Sequence, residues 1–260
     1  MHPMVNIAIR AARNAGNVIT RAMYRLDSIK VAEKSKNDYV SDVDHHAEQE
    51  IIKTIRKAYP SHGILAEESG EQQGNEYQWI IDPLDGTTNY LHGFPQFSVS
   101  IALKHKDTLE IAVIYDPLRD EIFSASRGQG AQLNDRKIRV SNRSSMNGAL
   151  LGTGIPFRPE HDLESYLETL KAVIEGTAGI RRAGSAALDL AYVAAGRLDG
   201  FWEFGLKPWD MAAGCLLIQE AGGVVSDMQG ENQFLSKGDV VTGNVKVHQL
   251  MLDRIQATLK

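Results

Sequence analysis

The chain has 260 residues, 43% of them hydrophobic and 23% charged, which excludes collagen, a coiled coil and whole-chain disorder and leaves room for one large domain or two modest ones. With 28 Lys and Arg against 33 Asp and Glu, the formal net charge is −5, so no bulk positive field drives general nucleic-acid binding. A single cysteine, Cys215, rules out an internal disulfide and a cysteine-built zinc site.

In chain order, Met1 to Asn6 lack the basic stretch and apolar run of a secretory leader. Ile7, Ala11, Ala15, Val18 and Ala22 recur at spacings of three and four, which predicts an amphipathic helix over about 4–25. A polar stretch, Glu33 to Asp38, interrupts. Helical period returns from Asp44 to Tyr59, with Ala47, Ile51, Ile52 and Ile55 on one side, and Pro60 ends it. The short apolar runs Ile64–Ala66 and Trp79–Ile81 end in acids, as core strands do where they emerge at a site. Residues 97–103, 109–115 and 121–125 read as a meander of strands, turned at Lys104–Asp107 and at Asp116-Pro117.

Beyond a polar stretch at 141–145, Ala149–Thr153 reads as a strand, Leu163–Ile174 as a helix, and Ser185–Ala195 as a small-residue helix. Gly200–Glu203 is a short strand. Trp209–Ala221 is a helix stopped by Gly222-Gly223, in the manner of a glycine cap. Val224-Val225 and Val240–Thr242 are late strands, and 245–259 is the last helix. No internal repeat or low-complexity segment appears. Apolar runs such as Met211–Ile218 are too short to span a bilayer, so a soluble cytoplasmic protein without a membrane partner is expected.

The chemistry is written in Asp82-Pro83-Leu84-Asp85-Gly86-Thr87-Thr88-Asn89. An apolar strand carries Asp82 to its end, and Pro83 fixes one torsion. Asp85, three residues on, can face the same point, with the Leu84 carbonyl nearby. Hard divalent cations prefer oxygen ligands of this kind. Gly86-Thr87-Thr88 adds backbone N–H groups, two hydroxyls and a helix start, a set of donors suited to phosphate. The same residues would also serve a plain Asp-Pro turn with threonine caps. Three further positions put acids at element ends: Glu67-Glu68 after Ile64–Ala66, Asp210 at one helix start and Asp44 at another. Each alone reads as a loop charge, a dipole-stabilising acid or an N-cap. Together they form a set of acids with no matching cluster of cations.

Asp82 to Asn89 resembles the first signature of the inositol monophosphatase family of metal-dependent phosphatases, and Trp209 to Gly214, running on to Glu220–Gly223, resembles its second. Glu67-Glu68-Ser69 is similar to the family's acidic turn, and Asp44 sits where its early aspartate does. Gly184 to Tyr192 is similar to a bacterial branch of the family. The resemblance covers essentially the whole chain. It implies an α/β (α+β layered) fold, the five-layer α-β-α-β-α sandwich of the inositol monophosphatase and fructose bisphosphatase type. An N-terminal α+β subdomain over 1–145 would carry the main metal site. A C-terminal α/β subdomain over 146–260 would supply Asp210 and the substrate pocket.

The resemblance also implies roles. Glu67, Asp82 and the Leu84 carbonyl would hold a first Mg2+, and Asp82, Asp85 and Asp210 a second; Glu67 would share a weaker third. Asp44 and Thr87 would orient and deprotonate the attacking water, and Glu67 would count with them among the catalytic residues. Gly86, Thr87 and Thr88 would contact phosphate oxygens, and Ser185, Ala186, Glu203 and Asp210 the sugar-alcohol hydroxyls. The implied reaction is hydrolysis of myo-inositol monophosphate to inositol and phosphate, without a covalent phosphoenzyme, sensitive to lithium, in a homodimer. Two alternatives stand beside it. One is a related phosphatase for another small phosphate ester, such as fructose bisphosphate, histidinol phosphate or a nucleotide 3′-phosphate, although Glu203 with Ser185 and Ala186 favours a polyol. The other is a Nus-type factor in ribosomal RNA transcription antitermination, in contact with RNA polymerase, Nus proteins and RNA.

The remaining residues have plainer readings. His45 and His46 are adjacent on a helix, point apart and read as solvated. Cys215, Trp202 and Trp209 read as packing residues. Arg181-Arg182 reads as an interface pair or a solvated face. Asn134-Asp135 stands where the family commonly has an Asn-Gly turn, and Lys34 and Lys36 are both candidates for the family's early lysine.

Overall fold

The computed structural model describes residues 3–24, 31–35, 38–156 and 162–259. Lys36 lies outside these residues, and the Lys34 side chain outside those described. In the N-terminal part, α1 (Pro3–Met23) is followed by β1 (Val31–Ser35), β2 (Asp38–Ser41), α2 (Asp42–Ala58), β3 (Gly63–Ala66), β4 (Gly70–Gln72) and β5 (Tyr77–Asp85). Then come α3 (Thr87–Leu91), β6 (Ser98–His105), β7 (Thr108–Asp116), β8 (Glu121–Ser126), β9 (Gly130–Leu133) and β10 (Arg136–Lys137). The C-terminal part contains β11 (Leu150–Thr153), α4 (Leu163–Ile174), β12 (Gly179–Arg181), α5 (Ala186–Ala194), β13 (Gly200–Glu203) and α6 (Pro208–Glu220). It closes with β14 (Val224–Ser226), α7 (Phe234–Lys237), β15 (Val240–Gly243) and α8 (Val245–Thr258).

Two sheets organise these elements. An eight-stranded sheet runs β10-β9-β8-β7-β6-β5-β3-β4, antiparallel except for the β3–β5 pair. A five-stranded sheet runs β12-β11-β13-β15-β14, parallel across its first three strands. The amphipathic helices α1 and α2 bury Ala8, Ala15, Ile51 and Ile55 against one face of the large sheet, with Trp79, Ile81 and Ile101. Its other face, through Ile80, Ala112 and Phe123, packs on α5 and α6. These two helices also meet Phe201 and Val240 of the small sheet. The outer face of that sheet is covered by α4 and α8, through Tyr166, Val173, Met251 and Ile255 around Trp202. The order is α-β-α-β-α. α6 is buried on every side from Met211 to Ile218, because a middle-layer helix has no solvent face to keep polar.

Several local expectations needed correction. The buried line of α1 runs through Val5, Ala8, Ala12, Ala15 and Ile19, whereas Ile7 and Val18 are half-buried. Small residues, not the largest ones, mark the face that approaches the sheet: a Cβ on Gly16 would collide with the Tyr115 ring of β7. Within the polar stretch, Glu33, Ser35 and Asp38 take part in the antiparallel pair β1–β2. That pair, together with β4, β12 and α7, is too short or too polar to show a period. β5 does not end at Ile81 but continues through Pro83 to Asp85, with a register shift between Asp82 and Asp85; a bulge is where a strand tolerates proline. The N-cap of α2 is Ser41, and Asp44 is the third helical residue of a Ser-x-x-Asp capping box. Asn134 and Asp135 both take positive φ, 46° and 64°, as a type I′ hairpin turn requires. The Asn134 carboxamide fixes this turn by accepting from the Ile122 N–H (2.8 Å). His45 and His46 are exposed, and Cys215 and Trp202 are fully buried, as their plain readings required.

The segment between β10 and β11 spans the position where the sequence suggests a boundary, near 145. It is tied down by the Asn244 side-chain amide, which donates to the Ser141 carbonyl (2.9 Å) and the Arg143 carbonyl (2.8 Å).

Candidate functional site

Topology brings the separated acids together. β3 and β5 are parallel neighbours, so Glu67, immediately after β3, lies beside the end of β5, and its N–H donates to the Ile81 carbonyl (3.1 Å). The acidic turn is anchored from α2, where the buried Glu48 carboxylate accepts from the Glu68 N–H (2.9 Å). Asp82 and Asp85 flank the bulge of β5, and Asp82 Oδ1 accepts from the Leu84 N–H (3.0 Å). α6 packs across the large sheet, with the Ser100 hydroxyl donating to the Trp209 carbonyl (3.2 Å), which sets Asp210 above the same strand end. Asp210 Oδ2 accepts from the Lys207 N–H (2.7 Å), so this acid also closes the first turn of its helix.

A cleft of about 430 Å³ is lined by Glu67, Asp82, Leu84, Asp85 and Asp210 together with Gly86, Thr87 and Thr88. Ser185, Ala186 and Glu203 line it from the opposite side. Every predicted site residue except Asp44 therefore faces one cavity. Asp44 is fully buried behind it and reaches it through Thr87, whose hydroxyl stands 2.9 Å from Asp44 Oδ1 and 3.0 Å from the Leu84 carbonyl. The other Asp44 oxygen accepts from the Ser41 N–H (2.9 Å) and hydroxyl (2.6 Å). The Ser185 hydroxyl donates to Asp85 Oδ2 (2.5 Å), which also accepts from the Ala187 N–H (2.8 Å). Asp85 thus caps α5 from a hundred residues away and joins the two sides of the cleft.

Gly86 starts α3, with φ +92°. The N–H groups of Thr87, Thr88 and Asn89 precede the first intrahelical bond, from the Tyr90 N–H to the Gly86 carbonyl (3.0 Å). A Cβ on Gly86 would stand 2.9 Å from the Gln96 carbonyl oxygen and 3.1 Å from that of Gly184. Gly86→Ala is expected to cost about 1–3 kcal/mol in chemical denaturation, because both the torsion and the space exclude a side chain. Unchanged stability would show that the turn is not held as described.

The electrostatics show which kind of ligand the cleft suits. Burial, then repulsion from Glu67, Asp85 and Asp210, holds the Asp82 carboxyl well above the usual carboxylate range. Asp210 is raised well above that range by burial and then by Asp85 and Glu67. Burial raises Asp85 to about 6 despite the Ser185 and Ala187 donors. Burial also raises Asp44. Carboxylates that raise one another in this way are relieved by a cation, and an all-oxygen set with a carbonyl suits a hard one. The fit rests on this donor chemistry rather than on a ready-made cage: among the described residues, no group of three or more His, Cys, Asp or Glu side chains already stands in a metal-holding arrangement.

The model of the inositol monophosphatase family matches residues 1–259. The chain belongs to the inositol monophosphatase family. Its relatives include the Nus factor SuhB of Pseudomonas aeruginosa, 58% identical over 265 residues, covering 100% of this chain and 98% of that one. The crystal structure of the extragenic suppressor protein suhB from Bartonella henselae superposes with a TM-score of 0.96 at 44% identity, covering 98% of this chain and 99% of that one. The inositol monophosphatase of Anabaena (Nostoc) sp. PCC 7120 gives a TM-score of 0.86 at 38% identity, covering 98% and 96%. The layered fold is therefore that of the family, and so is phosphatase chemistry of a generally metal-dependent kind. No helix among the described residues is long and apolar enough to cross a membrane.

Asn89, Arg182 and Asp189 are among the cleft residues to which the sequence assigned no site role. Asn89 donates its amide to the Gln96 carbonyl (2.7 Å) and the Ala183 carbonyl (2.9 Å), clasping the two sides together. Arg182 lines the cleft and acts on Glu203 and Asp189. Asp189 is a buried acid on α5. The adjacency of Asn89 to the threonine pair was a usable signal for the first. Nothing local marked the other two.

Proposed function

We propose that the chain hydrolyses myo-inositol monophosphate to inositol and phosphate with magnesium as its cofactor. The observation that carries this reading is the meeting, in one cleft, of acids from separate elements with the N–H groups and hydroxyls at the start of α3. Glu67, Asp82 and the Leu84 carbonyl would hold one Mg2+, and Asp82, Asp85 and Asp210 another. Magnesium there would supply Lewis-acid activation of a water and charge neutralisation at the leaving oxygen.

The protein's own groups do the rest. Thr87 and Thr88, with Gly86, hold phosphate oxygens. The Thr87 hydroxyl takes a hydrogen bond from the attacking water while it donates to Asp44 Oδ1, so a proton can pass toward a buried carboxylate already inclined to accept it. Glu67 lies beside the same strand end. Ser185, Ala186, Glu203 and Asp210 face the alcohol. Burial and the neighbouring Asp189 raise Glu203 to about 8, so its carboxyl keeps a proton more readily than an ordinary one and can donate to an alcohol oxygen. The two subdomains, divided near 145, would each supply one side of the cleft, in a cytoplasmic homodimer. The test is phosphate release from inositol 1-phosphate with and without magnesium, against a panel of other small phosphate esters. Preference for fructose bisphosphate, histidinol phosphate or a nucleotide 3′-phosphate would assign a different substrate to the same machinery.

One observation favours a second reading: the relative at 58% identity is named a Nus factor. In that role the chain would contact RNA polymerase, Nus proteins and RNA in ribosomal RNA transcription, with no hydrolysis needed. An Asp82→Asn variant that restores transcription in a strain lacking the protein would show that this role stands apart from catalysis.

A further inference from the structure

Asp189 lies on α5 one turn beyond Ser185 and Ala186, so it shares their helix face and opens on the same cleft. It is 2% exposed. Its carboxyl opens on the cleft, where the hydroxyls of a bound alcohol can donate to it. Glu203, at the end of β13, opens on that cleft as well. Both acids lie against the β11 segment where it carries glycine. A Cβ on Gly154 would collide with the Glu203 carboxyl, and one on Gly152 would stand 3.7 Å from Asp189 Cβ. Arg182 attracts both acids; Asp85 repels both, and Asp189 also repels Glu203. The alcohol end of the cleft therefore sets two carboxyl groups against one guanidinium.

We propose that Asp189 is a specificity-determining residue: with Glu203 it forms a wall that takes the hydroxyls of a neutral polyol and rejects phosphate esters whose alcohol carries a second anionic group. The inference rests on the phosphatase reading above and adds a substrate class to it. A neutral polyol presents several hydroxyls that hydrogen-bond to carboxyl groups. A second phosphate has few hydrogens to offer such a wall, and magnesium in the cleft would favour the ionised carboxyl groups, so in the assay that phosphate meets like charge, which disfavours a wrong ligand.

The experiment compares kcat/KM for inositol 1-phosphate and inositol 1,4-bisphosphate at fixed magnesium. The wild-type protein is expected to prefer the monophosphate. In Asp189→Asn, which keeps the shape and removes the acid, that preference falls by at least about tenfold, with loss on the monophosphate and gain on the bisphosphate. Arg182→Gln moves the preference the other way, and it carries the test if thermal unfolding shows Asp189→Asn to be poorly folded. An unchanged preference in both variants, or equal loss on both esters, overturns the proposal while leaving the phosphatase reading intact. A wild-type protein that hydrolyses neither ester removes the reading itself, and the proposal with it.

Discussion

Asp82→Asn is expected to lower magnesium-dependent phosphate release by at least about a hundredfold, while the metal-free variant becomes more stable than the wild type at neutral pH. Both effects come from one arrangement. Asp82 is 2% exposed and is repelled by Glu67, Asp85 and Asp210. Its charge is useful only when a cation shares the cleft. Asparagine keeps the shape and an oxygen that can accept from the Leu84 N–H, so the turn survives. It removes the negative charge that both proposed ions would share. Without metal, losing that charge relieves repulsion, so the unfolding midpoint in chelator rises. Steady-state kinetics with magnesium and thermal unfolding in chelator read the two halves independently. Near-native turnover would refute the ligand assignment, whatever the stability result.

The second large effect is on stability against pH. Asp85 moves from an ordinary 3.8 to about 6 on folding, and Glu203 from 4.5 to about 8. A folded acid that holds its proton more tightly than the unfolded chain does is favourable below the unfolded value. That advantage is lost as pH rises through the folded one. The metal-free protein should therefore lose stability steadily between about pH 4 and pH 8. Asp85 alone contributes on the order of 3 kcal/mol to this loss. Magnesium should reverse the trend: bound cations favour the ionised acids, so the rise in unfolding temperature on adding the metal is larger at pH 8 than at pH 5. Melting curves across this range, in chelator and in excess magnesium, measure both slopes. A metal-induced stabilisation that is the same at both pH values would mean that these carboxylates do not hold the ion.

These expectations draw on parts of the molecule that were not equally legible in the chain. Asp82 to Asn89 is contiguous, so the pairing of an acid strand end with a helix start rich in N–H and hydroxyl donors can be read directly from residue order. α6 announces its burial because it is apolar on every side, and the meander of β6, β7 and β8 announces itself by short turns. The sequence alone determined the kinds of ligand and their strand and helix ends. Only the tertiary structure decided that Glu67 and Asp210 reach the same cavity, since that depends on β3 pairing parallel to β5 and on α6 crossing the large sheet. The same holds for Ser185 and Asp85, whose bond joins residues a hundred positions apart. Asp189 shows the limit most clearly. In a helix of small residues it reads as an ordinary polar position. It becomes a buried acid because α5 is covered by a sheet on each side, and burial is a property of what packs against a residue rather than of the residue.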